Sequence, residues 1–149
     1  MVSENFAIVL LVLGLATLLG AGSMIWAYQG SGSVAVLFRE VVPAPDRLTH
    51  QAIRQLFELG VGEYCKGYYR RSAYYFSQVI QLDETLAEAR HNYALSLANQ
   101  REDDKATASF LKAADLYLKV NDRDSADLVK QHLLAVRQRK RDREAKLKA

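Results

Sequence analysis

The residues best suited to chemistry crowd into one short stretch, LFELGVGEYCKGYYRRSAYYFSQVIQLDE, residues 56–84. Tyr64, Tyr68, Tyr69, Tyr74 and Tyr75 are five of the chain's eight tyrosines, and the only cysteine, Cys65, lies among them. A reactive thiol needs a neighbour that stabilises the thiolate. Lys66 is adjacent in sequence, but groups on a helix meet at spacings of three or four. Cys65 therefore reads as a small, half-buried packing residue. Tyrosines interleaved with Arg70 and Arg71 could stack on nucleic-acid bases, which also requires a basic groove. The basic excess lies elsewhere. Residues 137–149, RQRKRDREAKLKA, carry +5 against +3 for the whole chain, so the remainder carries −2. The tyrosines are expected to pack, with ring bodies inward and hydroxyls on water or backbone, and no nucleic-acid partner is expected.

Other constellations are weaker still. His50, His91 and His132 are evenly spaced, but none forms the close i, i+3 or i, i+4 pair usual at a metal site. His91 is expected to face a groove and the other two the surface. No phosphate-binding glycine loop, HExxH, GxSxG or CxxC occurs. Asp83, Glu84, Asp103, Asp104, Asp122 and Asp124 sit in turns, where they read as caps of the following helices. No catalytic residue, metal or cofactor is expected, and the chain is not expected to be an enzyme. One cysteine permits no disulfide within the chain.

These residues must be held by helices. Residues 6–28, FAIVLLVLGLATLLGAGSMIWAY, contain no charge. A helix of that length spans roughly 35 Å, enough to cross a hydrocarbon core of about 30 Å. It is too long, and its MVSEN flank too poor in basic residues, for a cleaved signal peptide. Trp26 and Tyr28 suit the interface. The run therefore reads as a transmembrane helix, with Ala16 and Gly20 offering a small-xxx-small face. All 20 basic residues follow it. That bias favours a single-pass protein whose C-terminal domain is cytoplasmic or, in an organelle, stromal or matrix-facing.

A linker follows over 29–47, opening with QGSGS and closing on Pro43 and Pro45, the only two prolines. Within it, VAVLFREVV (34–42) reads as a short strand, an interfacial segment or a strap packed on the domain. Beyond Leu48 the composition is helical throughout. Turn-like residues divide it into helices near 48–65, 69–82, 86–99, 104–119 and 123–145. The fold class expected is all-α.

Superposing residues 53–86 on 87–120 brings Gly60 onto Ala94, Ser72 onto Ala106, Phe76 onto Phe110, Val79 onto Ala113 and Leu82 onto Leu116. A 34-residue helix–turn–helix period is the tetratricopeptide spacing. The first unit resembles such a repeat in Leu59-Gly60, Gly67 in the turn, Tyr69, Ser72, Phe76, Val79 and Leu82-Asp83. The second departs at Arg101, where glycine is usual, and neither unit ends in proline. The resemblance covers about 50–138, two repeats plus a capping helix, with 139–149 as a basic helix end or tail.

The resemblance implies a concave groove that binds a protein partner. By it, the partner-binding residues are Arg54, Phe57, Val61 and Tyr64 on the first helix and His91, Asn92, Leu95 and Asn99 on the third. Glu58, Cys65, Glu88 and Ala98 face the same way. Repeats that clamp chaperone C-terminal carboxylates carry Lys and Asn where this chain has Phe57 and Val61. An apolar or amphipathic segment, bound as a helix in a groove, is expected instead. The basic tail is either a solvated helix end or a contact for anionic lipid or an acidic partner.

The whole resembles single-span tetratricopeptide proteins that assist photosystem I assembly in cyanobacteria and plastids. It is also similar to translocon-associated and envelope-assembly adaptors. The expected function is a membrane-anchored scaffold that assists assembly of a membrane protein complex, photosynthetic in the nearest resemblance. The alternative is a permanent small subunit bracing such a complex.

Overall fold

The computed structural model describes residues 36–148. The apolar run 6–28, expected to be a transmembrane helix, and the first part of the linker lie outside the described residues. Among the described residues no helix is long and apolar enough to cross a membrane.

Five helices follow an extended N-terminal segment: α1 (Gln51–Cys65), α2 (Tyr69–Leu82), α3 (Ala87–Asn99), α4 (Asp103–Lys119) and α5 (Arg123–Lys148). Each packs on the next in chain order. No strand occurs among the described residues. The all-helical expectation holds, with boundaries within a few residues of those read from the turns.

Three of the inter-helix turns are built alike, the third after α4, where Asn121 N–H donates to Leu118 O (3.0 Å), Asp122 N–H donates to Tyr117 O (2.9 Å) and Asn121 lies at φ +59°. After α1, Gly67 N–H donates to Tyr64 O (2.9 Å) and Tyr68 N–H to Glu63 O (2.9 Å). After α3, Arg101 N–H donates to Ala98 O (3.0 Å) and Glu102 N–H to Leu97 O (3.0 Å). These paired bonds satisfy the last helical carbonyls, and they require one residue in the left-handed region. Gly67 takes it at φ +80° and Arg101 at φ +63°. The residue expected to replace glycine thus adopts glycine's conformation, at a steric cost glycine would not incur.

Small residues set the helix spacing. A Cβ on Gly60 would lie 3.0 Å from the Phe76 ring, which meets Phe57 edge-on at 5.2 Å. Both rings are fully buried, and each such burial stabilises by about 2–3 kcal/mol. Ser72 Oγ donates to Gly60 O (2.9 Å) and lies 3.0 Å from Ser96 Oγ, tying α2 to both neighbours. Ala94 and Ala106 are fully buried where α3 meets α4.

The core has two parts. Leu48, Ile53, Phe57, Phe76, Val79, Leu86 and Ala89 form one. Tyr64, Leu95, Phe110, Ala113, Tyr117, Val129 and Val136 belong to the other, together with Phe38 from the extended segment. Helix α3 is buried nearly all round although its sequence, AEARHNYALSLAN, has no apolar stripe. Such a helix must satisfy its buried polar groups with specific partners.

Several expectations are corrected. Among Asp83, Asp103, Asp104, Asp122 and Asp124, Asp122 behaves as a cap, accepting from Ser125 N–H (3.1 Å) at the start of α5. Asp83 holds a local turn through Thr85. Asp103 is buried and bonds Arg139, with Arg143 at 3.7 Å, while Asp104 pairs with Lys140 at 2.7 Å. The basic end is therefore helical to Lys148 and partly pinned to the start of α4. Cys65 is exposed rather than half-buried. His132 is not a surface residue but packs against His91 and Phe38.

Candidate functional site

Residues 36–45 cross the face made by α1, α3 and α5 without regular secondary structure, bending at Leu37, before a turn at Asp46 and Arg47, so VAVLFREVV follows the strap reading where it is described. The contacts are mostly to its backbone. Asn99, at the end of α3 and buried, accepts from Leu37 N–H and Phe38 N–H, both at 3.1 Å. Its amide nitrogen donates to Phe38 O (2.8 Å) and to Tyr64 Oη (2.9 Å). Tyr64 in turn donates its hydroxyl to Phe38 O at 2.8 Å. Two turns earlier, Asn92 accepts from Val42 N–H (2.8 Å) and donates to Val42 O (2.7 Å).

An amide side chain offers one acceptor and one donor side by side. That matches the N–H and C=O that one residue of extended chain presents on the same edge, as in pairing between strands. Asn92 and Asn99 each make such a match. A spacing of seven places both on one face of α3. On this face the two asparagines hold the main chain of Phe38 and Val42 of the same chain.

Side-chain contacts anchor the ends. Phe38 enters a pocket edged by His132 (ring centroids 4.5 Å) and Phe110 (6.0 Å). At the other end Glu88, nearly buried, receives Arg47 through both carboxylate oxygens at 2.7 Å. Arg54 caps the turn at Pro45–Leu48, with Nε donating to Leu48 O at 2.9 Å.

Beneath Phe38, His91 Nε2 lies 2.9 Å from His132 Nδ1, and His91 Nδ1 lies 3.4 Å from Tyr117 Oη. Burial, with His132 beside it, drives the His91 pKa down to about 3. Burial also lowers His132, against the opposing pull of Glu40 on the strap. The pair is thus neutral at pH 7 and acts as a shaped floor. Burial raises the Tyr64 hydroxyl well above its usual range, with Tyr69 adding to the shift. Tyr64 remains a donor at any ordinary pH.

Of the eight residues expected to bind a partner, Arg54, Tyr64, Asn92 and Asn99 bond the strap directly. His91 and Leu95 lie beneath it in the core, His91 through His132. Phe57 is buried between α1 and α2, and half-buried Val61 packs on the same cluster, which Val41 and Ala44 of the strap also touch. Sequence reasoning missed Phe38, Val42 and His132. The available signal was an apolar, β-branched stretch outside the anchor, which needs a surface to cover it.

The tyrosine-rich stretch divides. Tyr64 is buried, Tyr69 and Tyr75 are half-buried, and Tyr68 and Tyr74 are exposed. The Arg71 guanidinium sits 5.5 Å over the Tyr68 ring. Among the described residues no group of three His, Cys, Asp or Glu could hold a metal.

No family model, curated protein or solved structure significantly matches the chain.

Proposed function

We propose that this chain is a membrane-anchored adaptor of tetratricopeptide type, which binds a protein partner on the face of α1, α3 and α5 and assists assembly of a membrane complex. The observation that carries the reading is the paired amide grip of Asn92 and Asn99 on extended backbone. A peptide partner would find on this face the same acceptors and donors for its main chain. Support for the repeat comes from the 34-residue interval between the turns at Gly67 and Arg101, which share their backbone bonds and a left-handed position, a turn that recurs at Asn121 after α4. Support for the anchor comes from residues 6–28 alone, long and apolar enough to span a bilayer. Tethering in the plane of a membrane raises the effective concentration toward partners there.

The assembly role, and the photosynthetic setting within it, rest on the resemblance. A permanent subunit would use the same face. Fractionation and counting test the reading. The chain should stay with membranes through alkaline washing and leave only in detergent. Purified gently from native membranes, it should be substoichiometric and carried on incomplete complexes. Equal stoichiometry in one mature complex would replace the assembly role with the subunit role. Release by alkaline washing would remove the anchor.

A further inference from the structure

We infer that residues 36–48 act as a tethered pseudo-ligand, closing in cis a groove whose true ligand is an extended partner peptide with an aromatic residue at the Phe38 position and an aliphatic residue three places on, where Val41 packs on both core clusters. The inference rests on the adaptor reading and names what that groove takes.

The specificity follows from what each contact demands. The bonds from Asn99 to Leu37 and Phe38, from Tyr64 to Phe38 and from Asn92 to Val42 all end on main chain. They fix the direction and extension of an occupant without reading its side chains. A helix cannot replace it, because its own ladder consumes the N–H and C=O groups that the two asparagines hold. Selectivity falls to the pocket of Phe110 and His132 for an aromatic ring and to the Glu88 carboxylate for a basic side chain. The exposed edge of Arg39 and Glu40 contributes little.

The strap joins α1 through only the few residues around the Pro45–Leu48 turn. A short tether holds its segment at an effective concentration of roughly millimolar. A competing peptide therefore binds wild type more weakly than it binds an opened groove, by the fraction of time the groove stands free.

The test uses the full chain in detergent and a fluorescein-labelled peptide of residues 36–46, VLFREVVPAPD. Two strap variants open the groove by different means. Phe38→Ala empties the aromatic pocket. Val42→Pro removes the N–H that Asn92 accepts while keeping apolar volume. Each should bind the peptide at least about tenfold more tightly than wild type, and adding Asn99→Ala to either should abolish the gain. Hydrogen exchange on wild type provides a reading independent of variant folding. The Leu37, Phe38 and Val42 amides should be protected by their bonds to Asn99 and Asn92, and saturating peptide, by taking the strap's place, should strip that protection. Equal peptide affinity for wild type and both opened variants would overturn the pseudo-ligand. Unprotected strap amides in wild type would do the same. A chain that dimerises by exchanging straps would make a second copy the occupant and overturn the partner assignment. Should the opened groove ignore the peptide while a partner still co-purifies, the extended-peptide inference fails and the adaptor reading survives on another face.

Discussion

Truncating Asn99 to alanine isolates the grip on the strap. The side chain is 3 % exposed and makes four hydrogen bonds: two accepted from Leu37 and Phe38 N–H, two donated to Phe38 O and Tyr64 Oη. In the variant Phe38 O keeps its bond from Tyr64, and the less buried Leu37 N–H can reach water. The buried Phe38 N–H is left without a partner, and Tyr64 loses a donor. An orphaned buried group costs about 1–3 kcal/mol. The loss in strap docking should thus be about 2–3 kcal/mol, or roughly 30- to 150-fold in the opening equilibrium. The strap can lift while the helices stay packed, so the loss belongs to a local opening rather than to global unfolding. Hydrogen exchange at the Phe38 amide, measured on the full chain in detergent, reads it directly. Protection there should fall by that factor, while amides in the middle of α2 change little. An unchanged Phe38 amide, or an equal loss across all helices, would refute the reasoning.

Other substitutions probe other joints. Arg139→Ala strips the buried Asp103 carboxylate of its close partner, leaving Arg143 at 3.7 Å; chemical denaturation should show a loss of about 3 kcal/mol, in the range for breaking a buried pair from one side. Gly60→Ala drives a methyl to 3.0 Å from the Phe76 ring, which Phe57 prevents from retreating, and should cost about 1–3 kcal/mol by the same assay. Arg101→Gly relieves a left-handed arginine at φ +63° and should raise stability by about 0.5–1 kcal/mol. The histidine pair sets a pH dependence. His91 titrates near 6.5 when unfolded and near 3 when folded, so the unfolded state binds the proton first and stability falls as pH drops from 6.5 toward 3. At pH 5 the loss from His91 should reach about 2 kcal/mol relative to neutral pH. Burial depresses His132 in the same direction. His91→Gln should flatten the decline between denaturation midpoints at pH 7 and pH 5.

The helices were legible because their signals are local. No proline follows Pro45, and the turn residues fall where helices must stop. The register between hairpins was legible too, since Ser72 with Ala106 and Phe76 with Phe110 repeat a packing requirement at a fixed interval. Even the left-handed Arg101 follows from that register. What stayed hidden depends on partners distant in sequence. Asn92 and Asn99 hold backbone 50 to 62 residues earlier, and no local pattern marks an asparagine whose amide finds main chain. Asp103 looks like the other turn carboxylates until Arg139, 36 residues later, claims it. His132 follows Lys130 and Gln131 on α5 and was expected at the surface, yet the strap's Phe38 ring packs on it. Four of the residues expected at the groove meet the strap, but whether a position meets the strap or the neighbouring helix turns on a fraction of a helical turn. Phe57 and Val61 went to the core for that reason.

On the proposed reading the asparagine face binds a partner and the strap competes for it. Co-purification from native membranes, quantified for wild type, Phe38→Ala and Asn92→Ala/Asn99→Ala at matched expression, tests it most directly. Loss of the partner with the asparagine pair and its enrichment with Phe38→Ala is the result expected. Equal partner recovery with all three proteins would contradict it.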